Sequence, residues 1–397
     1  MKYAVVIMDG ASGWPVPEHG GKTSLELART PNLDALTAGG MLGQVRTVPQ
    51  GMEASSACAC MSVLGYNPRL YYKGRAAIEA RSLGVPVDEG EAVFRCNLVN
   101  VRRGVMVDYS AGHITTPEAR DLITALNAEL GGADVEFYPG VSYRHLLKLR
   151  GHEETLKAIC TPPHDIPEKP VLANLPRGTG SEFLRDLMAR SEAVLRDHPV
   201  NRAREGRGEL PATTIWLFWG AGPVPEMPPF RQVYGLDAAL TSGVDLLRGL
   251  AKMATITILE IPGVTDGADN DYAAQAIGAL EVLATHDLVV VHVEAPDEAA
   301  HGGDIEGKVA AIERIDDEII GRLRSWQGDS LRLLVLPDHP TPIPIPTHYD
   351  DPVPFLLWGE GFRGTRGKRF SEAEAEKAGI FLRDGYKIMG KLVDRDS

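Results

Sequence analysis

Hydrophobic positions along this chain fall into two textures. Near both ends, short unbroken apolar runs alternate with stretches of helical period. Between about residues 80 and 230 the runs are shorter and alternate with polar positions. The chain opens on Lys2-Tyr3-Ala4-Val5-Val6-Ile7-Met8, a run expected of a strand covered on both faces in a parallel sheet. It stops at Asp9-Gly10 and passes into a loop carrying Gly and Pro. Thr30 to Leu36 predicts a helix start, with Thr30 at the N-cap and Pro31 in the first helical position. After residue 230 the pattern predicts strands at Ile256 to Ile261, Asp287 to Val293, Leu331 to Leu336 and Val353 to Trp358. It predicts helices at Tyr272 to Ala284 and Gly307 to Leu323. Strands alternating with helices imply an α/β core whose mainly parallel sheet carries helices on both faces.

The middle of the chain predicts a smaller α+β domain. Ala92 to Val99, Val105 to Tyr109 and Val135 to Tyr138 have strand character, and Ser181 to Leu195 has helical period. Thr161 to Pro176 is dense in proline, and Arg202 to Gly208 reads as a charged loop or hinge. The simplest organisation is a discontinuous core, 1-79 and 231-397, with a domain at 80-230 inserted as a cap for a substrate.

Length and composition narrow the function classes. A chain of 397 residues with 44% hydrophobic content suits two or three soluble domains. The formal net charge of -13 disfavours a nucleic-acid partner, which demands clustered Lys and Arg. No apolar run reaches the roughly 20 residues of a membrane span, and nothing before the first strand reads as a signal peptide. The expected compartment is the cytoplasm. Cys58, Cys60, Cys96 and Cys160 are then reduced structural thiols; Cys58 and Cys60 lack the second pair of a zinc site.

Candidate chemistry gathers at strand ends, where open α/β sheets build their sites. Asp9 follows the first strand. Asp297-Glu298-Ala299-Ala300-His301 follows the strand ending at Val293. Asp338-His339 follows the strand ending at Leu336, and His348 comes shortly after it. Singly, each has a plainer reading: Asp9 as a turn residue, Asp297 and His301 as a solvated helix start. Together they place Asp and His at three strand ends on one sheet edge. If residues 297 to 301 are helical, Asp297 and His301 share a face. Mixed Asp and His ligands suit Zn or Mn better than an all-oxygen calcium cage. Six ligands are too many for one four-coordinate ion and suit a pair of divalent ions, which can clamp both oxygens in phosphoryl transfer. A nucleophile is sought in Gly51 to Tyr66, where Ser55 or Ser56 opens an apolar helix near its positive end; both also fit as simple N-caps.

The motifs resemble a known family. Met8-Asp9-Gly10, Ala28-Arg29-Thr30-Pro31-Asn32-Leu33-Asp34, Ser62-Val63-Leu64-Gly65-Tyr66-Asn67-Pro68 and Tyr72-Lys73-Gly74-Arg75 carry the resemblance in the first part. His292-Val293-Glu294-Ala295-Pro296-Asp297-Glu298, Asp338-His339-Pro340-Thr341-Pro342 and His348-Tyr349-Asp350-Asp351-Pro352 carry it in the last. These are similar to the archaeal-type cofactor-independent phosphoglycerate mutases of the alkaline phosphatase superfamily. Phe94-Arg95-Cys96-Asn97-Leu98, Asp108 to His113, Pro139 to His145 and His164-Asp165-Ile166-Pro167 resemble its bacterial branch, some members of which are proposed homoserine kinases.

The resemblance implies an alkaline-phosphatase-like core and two divalent ions, Mn or Zn, with Mg or Co as alternatives. One ion would be held by Asp9, Ser56, Asp338 and His339, the other by Asp297, His301 and His348. It assigns the nucleophile to Ser56 rather than Ser55. The implied reaction interconverts 3-phosphoglycerate and 2-phosphoglycerate through a phosphoserine, without 2,3-bisphosphoglycerate and with water excluded by closure of the inserted domain. Arg75, Arg144, His164 and Asp165 are the expected contacts to substrate carboxylate, phosphate and hydroxyl, although each arginine also fits a structural salt bridge. The chain departs from the family pattern at Ser55-Ser56-Ala57, where Gly-Ser-Asp is usual, at Cys60, where Asn or His is common, at Ala300 in place of Gly, and at Pro346 in place of a basic residue. The alternatives are a metal-dependent phosphotransferase or phosphohydrolase on another small substrate, including a homoserine kinase, and an inactive metal-binding homologue. The absence of a Walker-type Gly-x-x-x-x-Gly-Lys loop counts against a kinase. Oligomeric state is not legible.

Overall fold

The computed structural model describes residues 1–345, 347–365 and 367–394. Pro346 lies outside the described residues. The chain divides into two compact units: Met1–Tyr72 with Glu226–Ser397, and Lys73–Pro225 between them. These divisions fall a few residues before the change of texture at 80 and 230. The reason is the helix Arg75–Ser82, whose Ala76, Ala77 and Ala80 pack with Val93, Leu146 and Ala221 of the second unit.

The first unit is built on an eight-stranded sheet. Its strand order is Phe381–Leu382, Met41–Val45, Val353–Trp358, Leu331–Leu336, Lys2–Met8, Leu288–Val293, Ala238–Thr241 and Thr257–Ile258. The apolar runs at Lys2–Met8, Leu288–Val293 and Leu331–Leu336 are central and parallel, and Ala4 to Met8 are fully buried. Continuous burial explains why they lack alternation. Val353–Trp358 runs antiparallel to both of its neighbours, so the sheet is mixed at that side and parallel through its centre. Helices supply the covering apolar faces: Leu33, Leu36, Tyr272, Ala276, Ile312, Ile315 and Ile319 pack in one core with Ala4, Val6, Val289 and Val335.

The second unit has an antiparallel sheet in the order Val105–Asp108, Glu91–Arg102, Arg144–Arg150, Val135–Tyr138, with Thr214–Ala221 also paired to Glu91–Arg102. Helices Thr116–Leu130 and Ser181–Arg196 set Leu122, Leu126, Leu184 and Leu187 into its core against Phe94, Leu147 and Trp216.

Several local expectations change. Arg202 to Gly208 is not a loop: Pro199–Gly206 is a helix, begun by Pro199 and capped by the His198 side chain. Its Arg204 is turned inward and buried, bonded to Glu118 and to the carbonyls of Ala111 and Leu210. Thr30 occupies the N-cap position of helix Pro31–Gly39, but its side chain does not cap. Asp316 does so from a distant helix, accepting the N–H groups of Asn32 and Leu33. The strand at Ile256 to Ile261 shrinks to Thr257–Ile258.

Candidate active site

Register brings the site together. Met8 lies beside Val293 and Ile7 beside Leu336, so three parallel strands end on the same sheet edge. Asp9, Asp338 and His339 emerge there fully buried. Asp297 and His301 lie one turn apart on the short helix Ala295–His301, which starts just after the strand Leu288–Val293. Gly10 must be glycine here: its φ is +58°, and a Cβ would stand 2.3 Å from Asp297 Oδ1. Its N–H donates instead to Asp338 Oδ1 at 3.1 Å.

Two clusters of donor atoms result. In one, His339 Nε2 lies 3.6 Å from Asp9 Oδ1, 3.3 Å from Asp338 Oδ2 and 3.1 Å from Ser56 Oγ. In the other, His301 Nε2 lies 3.2 Å and His348 Nε2 3.6 Å from Asp297 Oδ2, with 2.8 Å between the two ring nitrogens. The clusters adjoin, since the rings of His339 and His348 are 4.1 Å apart between centroids.

The electrostatics call for cations. Burial, with Asp338 and Asp297 close by, pushes the Asp9 carboxyl well up, and burial also raises Asp338. Burial opposes the charge of Asp297 as well, yet His301 and His348 hold that carboxyl well below its usual range. Burial and the neighbouring His348 keep His339 well below the usual imidazole value. Among the described residues Asp9 Oδ1, though buried, has no hydrogen-bond partner. Crowded carboxylates, imidazoles and an orphaned oxygen form a donor set that suits divalent cations.

The serines separate cleanly. Ser55 is the N-cap of helix Ser56–Val63, and its Oγ accepts the Cys58 N–H at 3.4 Å. Ser56 opens the helix with its hydroxyl turned to His339. Cys60, one turn further on, donates from Sγ to Asp338 Oδ2 at 3.5 Å, and burial raises its thiol far above the usual value, so it stays protonated.

A sequence model of the 2,3-bisphosphoglycerate-independent phosphoglycerate mutase family matches residues 37–201. Over 396 residues the chain is 45% identical to the protein of that name from Methanothrix thermoacetophila, covering 99% of this chain and 100% of the relative. The chain belongs to the 2,3-bisphosphoglycerate-independent phosphoglycerate mutases. A probable member from Geobacter sulfurreducens is 44% identical over the whole of both chains. The fold matches a solved protein from Pyrococcus horikoshii (TM-score 0.81, 26% identity, 100% of this chain and 98% of the other). It also matches the cofactor-independent phosphoglycerate mutase of Thermoplasma acidophilum (TM-score 0.64, 25% identity, 99% of both chains).

The four expected substrate contacts all lie in the second unit of this family member. Arg75 begins a helix, pairs with Glu79 at 2.9 Å and stacks 4.5 Å from the Trp219 ring centroid. His164 packs 5.3 Å from the same Trp219 and 6.3 Å from Tyr109; Tyr109 packs on Tyr143, and Arg144 lies over Tyr143. One string of rings therefore connects Arg75, His164 and Arg144. Asp165 adjoins His164 on a single 3-10 turn, and the two side chains approach to 3.9 Å.

Several residues beyond the expected set stand close to it. Arg95 is buried against Glu79, with Arg75 and Arg144 close enough to oppose its charge. His292 Nε2 lies 2.7 Å from Asp9 Oδ2, and Thr341 donates to Asp297 Oδ1 at 2.5 Å. His292 left a usable signal: it is the one ionisable residue within the run Leu288–Val293.

Proposed function

We propose that this chain interconverts 3-phosphoglycerate and 2-phosphoglycerate through a phosphoserine on Ser56, with two divalent cations and without 2,3-bisphosphoglycerate. The observation that carries it is the Ser56 hydroxyl standing 3.1 Å from His339 Nε2, inside the cluster of Asp9, Asp338 and His339. Asp9, Ser56, Asp338 and His339 would hold one cation, and Asp297, His301 and His348 the other. Mn or Zn suits this mixture of carboxylate and imidazole, and Mg or Co could substitute. Bound there, the metals supply Lewis acidity, lowering the pKa of the Ser56 hydroxyl and neutralising phosphoryl oxygens.

The chain's own residues supply the rest. Ser56 Oγ would form its bond to phosphorus as the bond to the 3-oxygen of glycerate breaks. The glycerate then turns, and its 2-oxygen takes the phosphoryl group back, restoring Ser56. Arg75 and Arg144 would bind substrate anions, with His164 and Asp165 orienting hydroxyl groups. The gathering of Arg75, Arg95 and Arg144 supports this in an otherwise acidic protein. Among the described residues no helix is long and apolar enough to cross a membrane. All four cysteines are free, which suits a cytoplasmic enzyme of glycolysis or gluconeogenesis.

Parallel incubations of purified protein with Mn test this reading, one with 3-phosphoglycerate and one with homoserine and ATP, followed by phosphorus NMR. The mutase reading expects 2-phosphoglycerate in the first and no phosphohomoserine in the second. Phosphohomoserine, or inorganic phosphate as the sole product from 3-phosphoglycerate, would overturn it.

A further inference from the structure

Asp9 offers two oxygens with different surroundings. Oδ1 is buried, has no hydrogen-bond partner among the described residues, and faces His339. Oδ2 lies 2.7 Å from Nε2 of His292, a ring fully enclosed within the central sheet. On its other side, His292 Nδ1 lies 2.9 Å from Ser242 Oγ. Ser242 in turn accepts the Val244 N–H at 3.0 Å.

With Asp9 as a cation ligand, the direction of these hydrogen bonds follows. A carboxylate serving as a cation ligand is ionised and can only accept, so the ring proton sits on Nε2. Nδ1 is then an acceptor. The Ser242 hydroxyl, whose oxygen already takes the Val244 N–H, gives its proton to Nδ1. The backbone of His292 is locked as well: Gln275 Nε2 donates to its carbonyl at 2.9 Å, and Asn270 Nδ2 donates to Gln275 Oε1 at 3.0 Å. Asn270 and Gln275 are both buried.

We infer that His292 is a positioning residue for the cation ligand Asp9: set in one tautomer by Ser242, it engages Asp9 Oδ2 and leaves Oδ1 for the metal. The inference rests on the proposed assignment of Asp9 to a metal site, but it concerns cation affinity rather than the reaction. His292, Asp9 and Cys60 also place donor atoms within 4.8 Å of one another, which could suggest a third cation. Both ring nitrogens of His292 are already used in hydrogen bonds, which favours positioning over ligation. Partners that orient metal ligands typically contribute about 10- to 100-fold in metal affinity or activity.

The test is Mn binding by the full chain, read by electron paramagnetic resonance. It compares the unaltered protein with His292→Phe, His292→Gln and Ser242→Ala, and mutase activity is assayed separately at limiting and saturating Mn. His292→Phe keeps the ring and removes the donor; His292→Gln keeps an N–H for Asp9. The expected result is a loss of about tenfold or more in affinity at one site for His292→Phe. A loss of a few-fold is expected for His292→Gln, with Ser242→Ala between them. Activity at limiting Mn should follow affinity and recover at saturating Mn, with KM for 3-phosphoglycerate unchanged. Should His292→Phe fold poorly, Ser242→Ala carries the test. Unchanged affinity in both His292→Phe and Ser242→Ala would overturn the inference. So would loss of a third bound Mn, which would make His292 a ligand. Failure of the mutase reading would show differently, as Mn binding with no 2-phosphoglycerate formed by the unaltered protein.

Discussion

Ser56 Oγ lies 3.1 Å from His339 Nε2, whereas the Oγ of the preceding Ser55 is used on the Cys58 amide. Two adjacent serines thus stand in different surroundings, Ser56 facing the proposed metal ligands and Ser55 capping the helix. Ser56→Ala should abolish mutase activity while leaving the fold intact. Ser55→Ala should retain most activity and lose about 1 kcal/mol of stability, the usual contribution of an N-cap. A coupled assay and urea unfolding of both variants check this pair.

Gly10 lies in the tight turn that follows the first strand at the site. Its left-handed φ of +58° and the 2.3 Å approach of a Cβ to Asp297 Oδ1 leave no room for alanine. Gly10→Ala should displace Asp297 and weaken Mn binding. Isothermal titration with Mn reads the effect, and native-like affinity in this variant would show that the two ligand loops can move apart without loss.

Metal removal should destabilise the first unit as well as silence it. Without cations, Asp9, Asp338 and Asp297 are buried carboxyls crowded together, and burial raises the first two. Dialysis against a chelator should lower the Tm and abolish activity, and Mn should restore both. Calorimetry before and after dialysis measures it.

His145 gives the second unit an acid sensitivity of its own. The ring is buried, its Nδ1 accepts the Gly140 N–H at 3.0 Å, and burial together with nearby Arg95 lowers it from 6.5 to about 3. Between those values the unfolded chain binds a proton that the folded chain refuses. Stability is therefore present above pH 6.5 and is lost as the pH falls toward 3, by at most about 1.4 kcal/mol per pH unit. His145→Asn keeps an acceptor for Gly140 and removes the titration. Its urea midpoint should fall less steeply than that of the unaltered chain between pH 7 and 5.

What the sequence revealed, and what it hid, follows from the range of the forces involved. The strands Leu331–Leu336 and Val353–Trp358 were legible to the residue, because burial on both faces leaves an unbroken apolar run. The antiparallel direction of Val353–Trp358 was not legible, since direction is set by pairing with Met41–Val45. The strand Arg144–Arg150 was hidden because Lys148 interrupts the pattern. That lysine is buried against Glu91 on the neighbouring strand, a partner far away in sequence. At the site, Asp9, Asp297 and Asp338 stood out because each follows a strand end. His292 and Thr341 did not, because their importance lies in contacts with Asp9 and Asp297 that only folding creates.

In the proposed reaction the phosphoryl group passes to Ser56 and back to the same glycerate, never to water. Turnover of 3-phosphoglycerate by the Mn-loaded protein in heavy-oxygen water tests it most directly. The expected product is 2-phosphoglycerate whose phosphoryl group carries no heavy oxygen, with little inorganic phosphate released. Inorganic phosphate carrying heavy oxygen as the main product, with no 2-phosphoglycerate, would contradict it and identify a hydrolase.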